Sequence, residues 1–274
     1  DARSNSMGGI STHESMSISD IYTLNSSHKK NKSQFSYGNS YSNLISYFQI
    51  SRIITDTKKT KVGISIIHKN IDDIPYTKDA WDDRGYPISL SDINYDKIST
   101  FSDQQIALIL LYSQNSLIGD FGIKIKPFYT SVHRHYSSGF SLDIGLHQKF
   151  YENVMIGYSI KNLLSVNNWS TGESYSLYPQ YTVLISYVGK KTILSSELNL
   201  LYRSNLKIGY ENNINESIKV QIGYSSIKSV SLGFSFEHEK KFFCYSFTPN
   251  INNIILGHDH QFSILLDLPS KYNK

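Results

Sequence analysis

At 274 residues, with 21 Tyr, 13 Phe and charged residues at only 18 %, the chain is rich in strand-favouring side chains and long enough for one large all-β domain. The single cysteine, Cys244, excludes an intrachain disulfide and a multi-cysteine metal site, and the net charge of +4 is interspersed with Asp and Glu, which excludes a nucleic-acid partner. The longest uninterrupted apolar run, Ile106 to Tyr112, falls far short of the roughly 20 residues of a membrane helix, so a helical membrane protein is excluded as well.

The head of the chain, Ser6 to Ser27 (SMGGISTHESMSISDIYTLNSS), is polar, carries the pair Gly8-Gly9, and fits neither a helix nor a strand for long. An opening on Asp1-Ala2-Arg3 with no apolar leader is expected of a processed, exported protein.

From Ser33 onward the dominant signal has period two. In SIKVQIGY, Ile218, Val220, Ile222 and Tyr224 share one face, with Lys219, Gln221 and Gly223 on the other. SVSLGFSFEH repeats it, setting Val230, Leu232, Phe234 and Phe236 against Ser231, Gly233, Ser235 and Glu237. Successive strand side chains point to opposite faces, so each such segment has one oily and one polar side. Fourteen strands are predicted, near 33–40, 42–54, 59–69, 100–114, 117–130, 136–150, 153–162, 178–188, 191–202, 204–212, 216–225, 228–237, 240–247 and 258–268.

Periodicity alone leaves open whether the oily face is a soluble core or a lipid-facing belt. Residue type favours the belt, because the polar faces mix Gly and Ser with isolated charges such as Lys124, Lys126, Asp143, Glu197, Lys207 and Glu211, which suits a crowded lumen. Tight connections (NS, YE, GK, EK) alternate with long ones after the third, seventh and thirteenth segments, as in bacterial outer-membrane barrels. The expectation is an all-β, 14-stranded antiparallel transmembrane barrel in the outer membrane, with both termini on the short-turn, periplasmic side. Residues 1–32 would plug the lumen, 33–268 form the barrel and 269–274 a periplasmic tail. A lumen this wide is too broad for wall side chains to fill, which gives the polar head its place, and Gly8 and Gly9 let its backbone bend inside.

The ordered motifs ARSNSMGGIS, IYTLNSS, DDIPYTKDAWDDRG, ISTFSDQQIALILLYS, FGIKIKPFYTSVHRHYSSGFSLDIG and CYSFTP with LGHDHQFSI resemble the PorV/PorQ family of FadL-like outer-membrane proteins over nearly the whole chain. The resemblance implies a barrel with an N-terminal segment in its lumen, acting in type IX protein secretion or cell-surface attachment as a non-enzymatic shuttle or anchor for cargo. Partners would then be outer-membrane lipid, secretion components and secreted proteins, with no cofactor. More distant FadL relatives pass fatty acids and other hydrophobic compounds through a lateral opening in the wall. Where the family has Asn-Pro-Ala after the plug, this chain has Asn25-Ser26-Ser27, so the proline that would fix the turn is absent. Met7, Gly8, Gly9 and Asn25 are the plug candidates.

Other chemistry is sparse. His133 with His135, and His258 with His260, offer two imidazoles each where a metal site needs three or four converging ligands. The acidic connection with Asp72, Asp73, Asp79, Asp82, Asp83, Asp92 and Asp96 lacks a calcium-loop pattern and reads as solvated. No nucleophile, phosphate-loop or zinc-protease motif appears, so no catalytic residue is predicted. Trp81, Asp82, Asp83 and Trp169 are the candidate partner contacts, within rim segments 70–98 and 163–176. The alternatives are a FadL-like passive transporter of hydrophobic molecules, which requires an apolar pocket and a break in the wall, and a soluble ligand-binding β-sandwich.

Overall fold

The computed structural model describes residues 1–10, 32–57, 59–80, 93–200, 204–227, 229–239, 241–250 and 257–267. After a short helix, α1 (Ala2–Ser6), come β1 (Lys32–Ser40), β2 (Ile45–Asp56), β3 (Thr60–Tyr76), β4 (Ser99–Ser116), β5 (Gly119–Val132), β6 (His135–Tyr151) and β7 (Val154–Trp169). A two-residue β8 (Ser174–Tyr175) follows, then β9 (Gln180–Val188), β10 (Thr192–Leu200), β11 (Asn205–Asn213), β12 (Ile218–Ser225), β13 (Ser229–His238), β14 (Lys241–Thr248) and β15 (Asp259–Asp267). Each predicted segment is a strand, and β8, a flap paired only to the upper part of β7, is the one addition.

Every strand pairs antiparallel with its neighbours, and the pairing of β1 with β15 and of β6 with β7 closes a ring of fourteen strands. Closure removes the sheet edges, the condition for a β-structure to stand in lipid. Facing confirms it: Gln34, Ser51, Ser113, Ser186, Gln221 and Ser235 are buried toward the lumen. On the alternate positions Phe35, Ile50, Ile66, Leu110, Ile185, Ile222 and Phe234 are 39–53 % exposed on the outside. An apolar surface on this scale is stable only against lipid, so the sandwich alternative is excluded. Tyr37, Tyr129, Tyr136, Tyr181 and Tyr224 stand outward near one rim, and Tyr112, Tyr187 and Tyr210 toward the other, where amphipathic rings suit the lipid interfaces.

The wall is uneven. Strands β3 to β7 run 14 to 18 residues, whereas β9 to β15 have 8 to 10. The extra length projects past the rim that carries connections 41–44, 133–134 and 170–179, and the opposite rim carries the tight turns 117–118, 152–153, 189–191 and 214–217.

The head of the chain is ordered as a helix before its glycine turn. Asp1 caps α1, its Oδ1 accepting from the Ser4 amide at 2.7 Å, and Gly8 and Gly9 stop it with φ of +75° and +80°. The helix lies inside the barrel against β12 to β15, and Ala2, Met7 and Ile10 join Phe242, Cys244 and Leu265 of those strands in a buried apolar cluster that also takes in Ile53, Leu111 and Leu184.

Candidate functional site

The seat of the N-terminal segment is cut into the wall by small side chains. Gly209 on β11 and Gly223 on β12 face the lumen as register partners, and Gly233 on β13 faces it opposite Gln221, two positions along. A Cβ on Gly223 would lie 2.0 Å from the Gly8 nitrogen, and one on Gly233 2.3 Å from the Ser6 Cβ. Polar groups then fix the segment: the Gly8 amide donates to Ser231 Oγ at 3.1 Å, and Ser231 Oγ donates to the Ser6 carbonyl at 3.0 Å. Lys207 Nζ donates to the Gly9 carbonyl at 2.9 Å and pairs with Glu197 at 2.7 Å.

The strongest tether is a bidentate pair. Arg3 donates through Nε to Glu211 Oε2 at 2.6 Å and through a terminal nitrogen to Oε1 at 2.9 Å, with both side chains almost fully buried. Gln221 donates to the same carboxylate at 3.0 Å and to Ser235 Oγ at 2.8 Å. Two charges removed from water need this geometry and these additional bonds to be held without a net penalty. Met7, Gly8 and Gly9 therefore lie against the lumen face of β11 to β13, whereas Asn25 lies outside the described residues.

Across the lumen, β7 departs from regular pairing. Leu142 pairs with Leu164 but Ile144 with Ile160, so two extra residues are accommodated in a bulge around Asn162, whose φ is +54°. Asp143 pins the bulge, its Oδ1 accepting from the Asn162 amide at 2.9 Å, and Lys126 and Lys124 reach the same carboxylate at 2.8 and 3.3 Å. On its other side β7 pairs with β9 only as far as Lys161 with Gln180, and with β8 only at Asn167 and Asn168. Between those points, residues 162–166 have no backbone ladder on that side. Ser165 Oγ bridges the interval, accepting from the Leu177 amide at 2.7 Å and donating to its carbonyl at 3.1 Å. Pro127, which has no N–H, interrupts the β4–β5 ladder between Ala107–Phe128 and Leu110–Ile125, but there the strands stay in step.

Concavities flank this interval on both faces of the wall. At the tall rim a cavity of about 480 Å³ is lined by Phe128, Val132, Trp169, Tyr175 and Leu177, with Lys69, Asp103, Gln105, Thr130 and Asn167 among its polar members. Outside, an apolar groove of about 340 Å³ runs beside Phe121, Ile144, Tyr158, Ile160, Tyr181 and Val183.

Trp169 is thus the last residue of β7 and half-buried in the rim cavity, not a residue of an outer loop. Trp81, Asp82 and Asp83 lie outside the described residues. Three of these histidines pack on aromatic rings: His133 stacks on Tyr76 with centroids 4.7 Å apart, and His258 and His260 lie against Phe247, with His260 Nδ1 also hydrogen-bonded to the Tyr245 hydroxyl at 2.7 Å. Among the described residues no three metal-ligating side chains converge.

No protein-family model and no curated protein matches the chain. Solved structures do. The Pseudomonas putida toluene transporter TodX superposes with a TM-score of 0.65 at 11 % identity, over 96 % of this chain and 95 % of that one. A deletion mutant of TodX, described as a monoaromatic hydrocarbon channel, gives 0.66 at 11 % identity, over 96 % of each chain. The Ralstonia pickettii toluene transporter TbuX gives 0.61 at 10 % identity, over 98 % of each. At these identities the likeness shows a shared fold, the FadL-like barrel, and no comparison carries the narrower PorV/PorQ likeness.

Proposed function

We propose that the chain is a non-enzymatic outer-membrane channel that passes small hydrophobic molecules sideways through its wall into the lipid. The observation that carries this reading is the juxtaposition at β7: an aromatic-lined cavity at the rim, an interval without backbone ladder, and an apolar groove on the lipid side of the same wall. A hydrophobic molecule leaving by that interval avoids the polar lumen, where its apolar surface would stay wet at about 25 cal/mol per Å². The shared fold of the toluene transporters supports the same direction.

In this reading the short-turn rim faces the periplasm and the tall rim the exterior, and residues 1–10, on the seat formed by β11 to β15, act as the plug, while Lys32 already belongs to the wall. A role in type IX secretion has no comparison behind it, and the passive transporter takes its place.

The test is uptake across outer membranes with an intact lipopolysaccharide leaflet, with and without the protein. Accelerated entry of toluene without accelerated entry of a disaccharide is expected. Equal acceleration of both would mean an open pore, and acceleration of neither would remove the channel reading.

A further inference from the structure

We infer that the rim cavity selects small aromatic molecules that carry a hydrogen-bond donor, a phenol in preference to a bare hydrocarbon, with Asn167 as the specificity-determining residue. The inference rests on the channel reading above and narrows its substrate class.

Four rings, Phe128, Tyr129, Trp169 and Tyr175, border the cavity, and Gly139 explains how one of them reaches its place. Gly139 pairs with Asn167 and with Phe128, and a Cβ there would meet the Phe128 ring at 2.8 Å and the Asn167 Cα at 3.0 Å. Without that Cβ the ring lies across β6 directly beside Asn167. At about 480 Å³ the cavity is well above the ~150 Å³ that suffices to bind benzene in an apolar protein interior, so a single ring with a substituent fits.

The polar side of the cavity supplies the selectivity. Asn167 is only 4 % exposed, and its Nδ2 donates to the Tyr175 hydroxyl at 2.8 Å, while its Oδ1 has no hydrogen-bond partner. Two ladder positions away, Ser137 pairs with Trp169 and buries a hydroxyl that also has no partner. With one amide N–H engaged by Tyr175, the atom left without any partner is the acceptor Oδ1. Lys69 and Asp103, on the same lining, carry opposite charges and give the cavity no net charge with which to select an ion. A ligand O–H satisfies the Asn167 carbonyl, whereas a methyl group leaves it buried and unpaired. A site that hydrogen-bonds a hydroxyl discriminates against the analogue without it, because the buried acceptor is then left unpaired.

The experiment uses the full chain carrying Trp81→Phe, so that Trp169 alone reports, with excitation at the red edge of the indole band and titration by phenol, toluene and anisole. Phenol is expected to bind about five- to tenfold more tightly than either of the others. Asn167→Leu is expected to abolish that preference by weakening phenol alone. Tyr175→Phe, a change on the half-exposed β8, frees the amide to present its donor and is expected to narrow the gap between phenol and anisole. Equal affinities for phenol and toluene, anisole binding more tightly than phenol, or a preference that survives Asn167→Leu would overturn the inference. The same compounds in the uptake assay separate the two levels. A fluorescence preference without accelerated uptake removes the channel reading and keeps the site, and accelerated uptake without any preference does the reverse.

Discussion

The plug seat makes a demanding prediction, because Gly223→Ala adds a single carbon where no flexible group can yield. The new Cβ would stand 2.0 Å from the Gly8 nitrogen, 2.3 Å from the Met7 carbonyl carbon and 2.7 Å from the Ser6 oxygen, against 3.4–4 Å for ordinary contact. All three are backbone atoms, and Gly223 itself is held on both sides by β11 and β13. The segment must therefore retreat by more than ~1 Å. That movement takes the Gly8–Ser231 and Ser231–Ser6 bonds, at 3.1 and 3.0 Å, out of range. Two hydrogen bonds at about 1 kcal/mol each and partial exposure of Met7, fully buried in the seat, at about 2 kcal/mol sum to about 4 kcal/mol. The ratio of seated to unseated segment should fall by about three orders of magnitude. Hydrogen exchange followed by mass spectrometry on residues 1–10 reads this directly, with Ile222→Ala, on the outward face of the same strand, as the control. If the amides of residues 6–8 exchange as slowly in Gly223→Ala as in the control, the wall glycines are not the seat.

Three further changes follow from the same geometry. Arg3→Met leaves Glu211 buried without its counter-charge and should weaken seating by about 3–5 kcal/mol, and adding Glu211→Met should recover most of that loss in the same exchange measurement. Ile222→Arg puts a charge on the outward belt and should lower stability in unfolding from lipid vesicles by about 2–4 kcal/mol. Asp143→Ala removes the acceptor of the Asn162 amide and the counter-charge of Lys124 and Lys126, so exchange at residues 161–164 should quicken by about tenfold or more, with the seat on β11 to β13 unaffected.

The barrel was legible because facing is a local property of a strand. In SIKVQIGY and SVSLGFSFEH every second residue declares its side, and Gly and Ser among opposite charges mark the other side as a lumen. The even strand count then lets β1 meet β15. The seat was only half legible: Gly8 and Gly9 signal a turn, but Arg3 finds Glu211 across 208 residues, a pairing that only ring closure creates. The site on β7 was hidden for a related reason. Strand prediction stops at residue 162 because KNLLSVNN breaks the alternation there, yet the strand continues to Trp169, carried over the irregularity by Asp143 on the neighbouring strand. Loss of period two, read as a strand end, in fact marked the bulge, and Trp169 was assigned to a loop in consequence.

The lateral route through β7 is the central claim, and deletion of Asn162 and Leu163 tests it most directly. Removing two residues brings the Leu142–Leu164 and Ile144–Ile160 pairings into one register, preserves the in-out alternation, and shortens the unladdered interval between Lys161–Gln180 and Asn167–Tyr175 from five residues to three. The barrel should fold, and toluene uptake across an intact outer membrane should fall to the level seen without the protein. Uptake that stays at the level of the unaltered chain, in a barrel shown to be folded and closed at β7, would contradict the account.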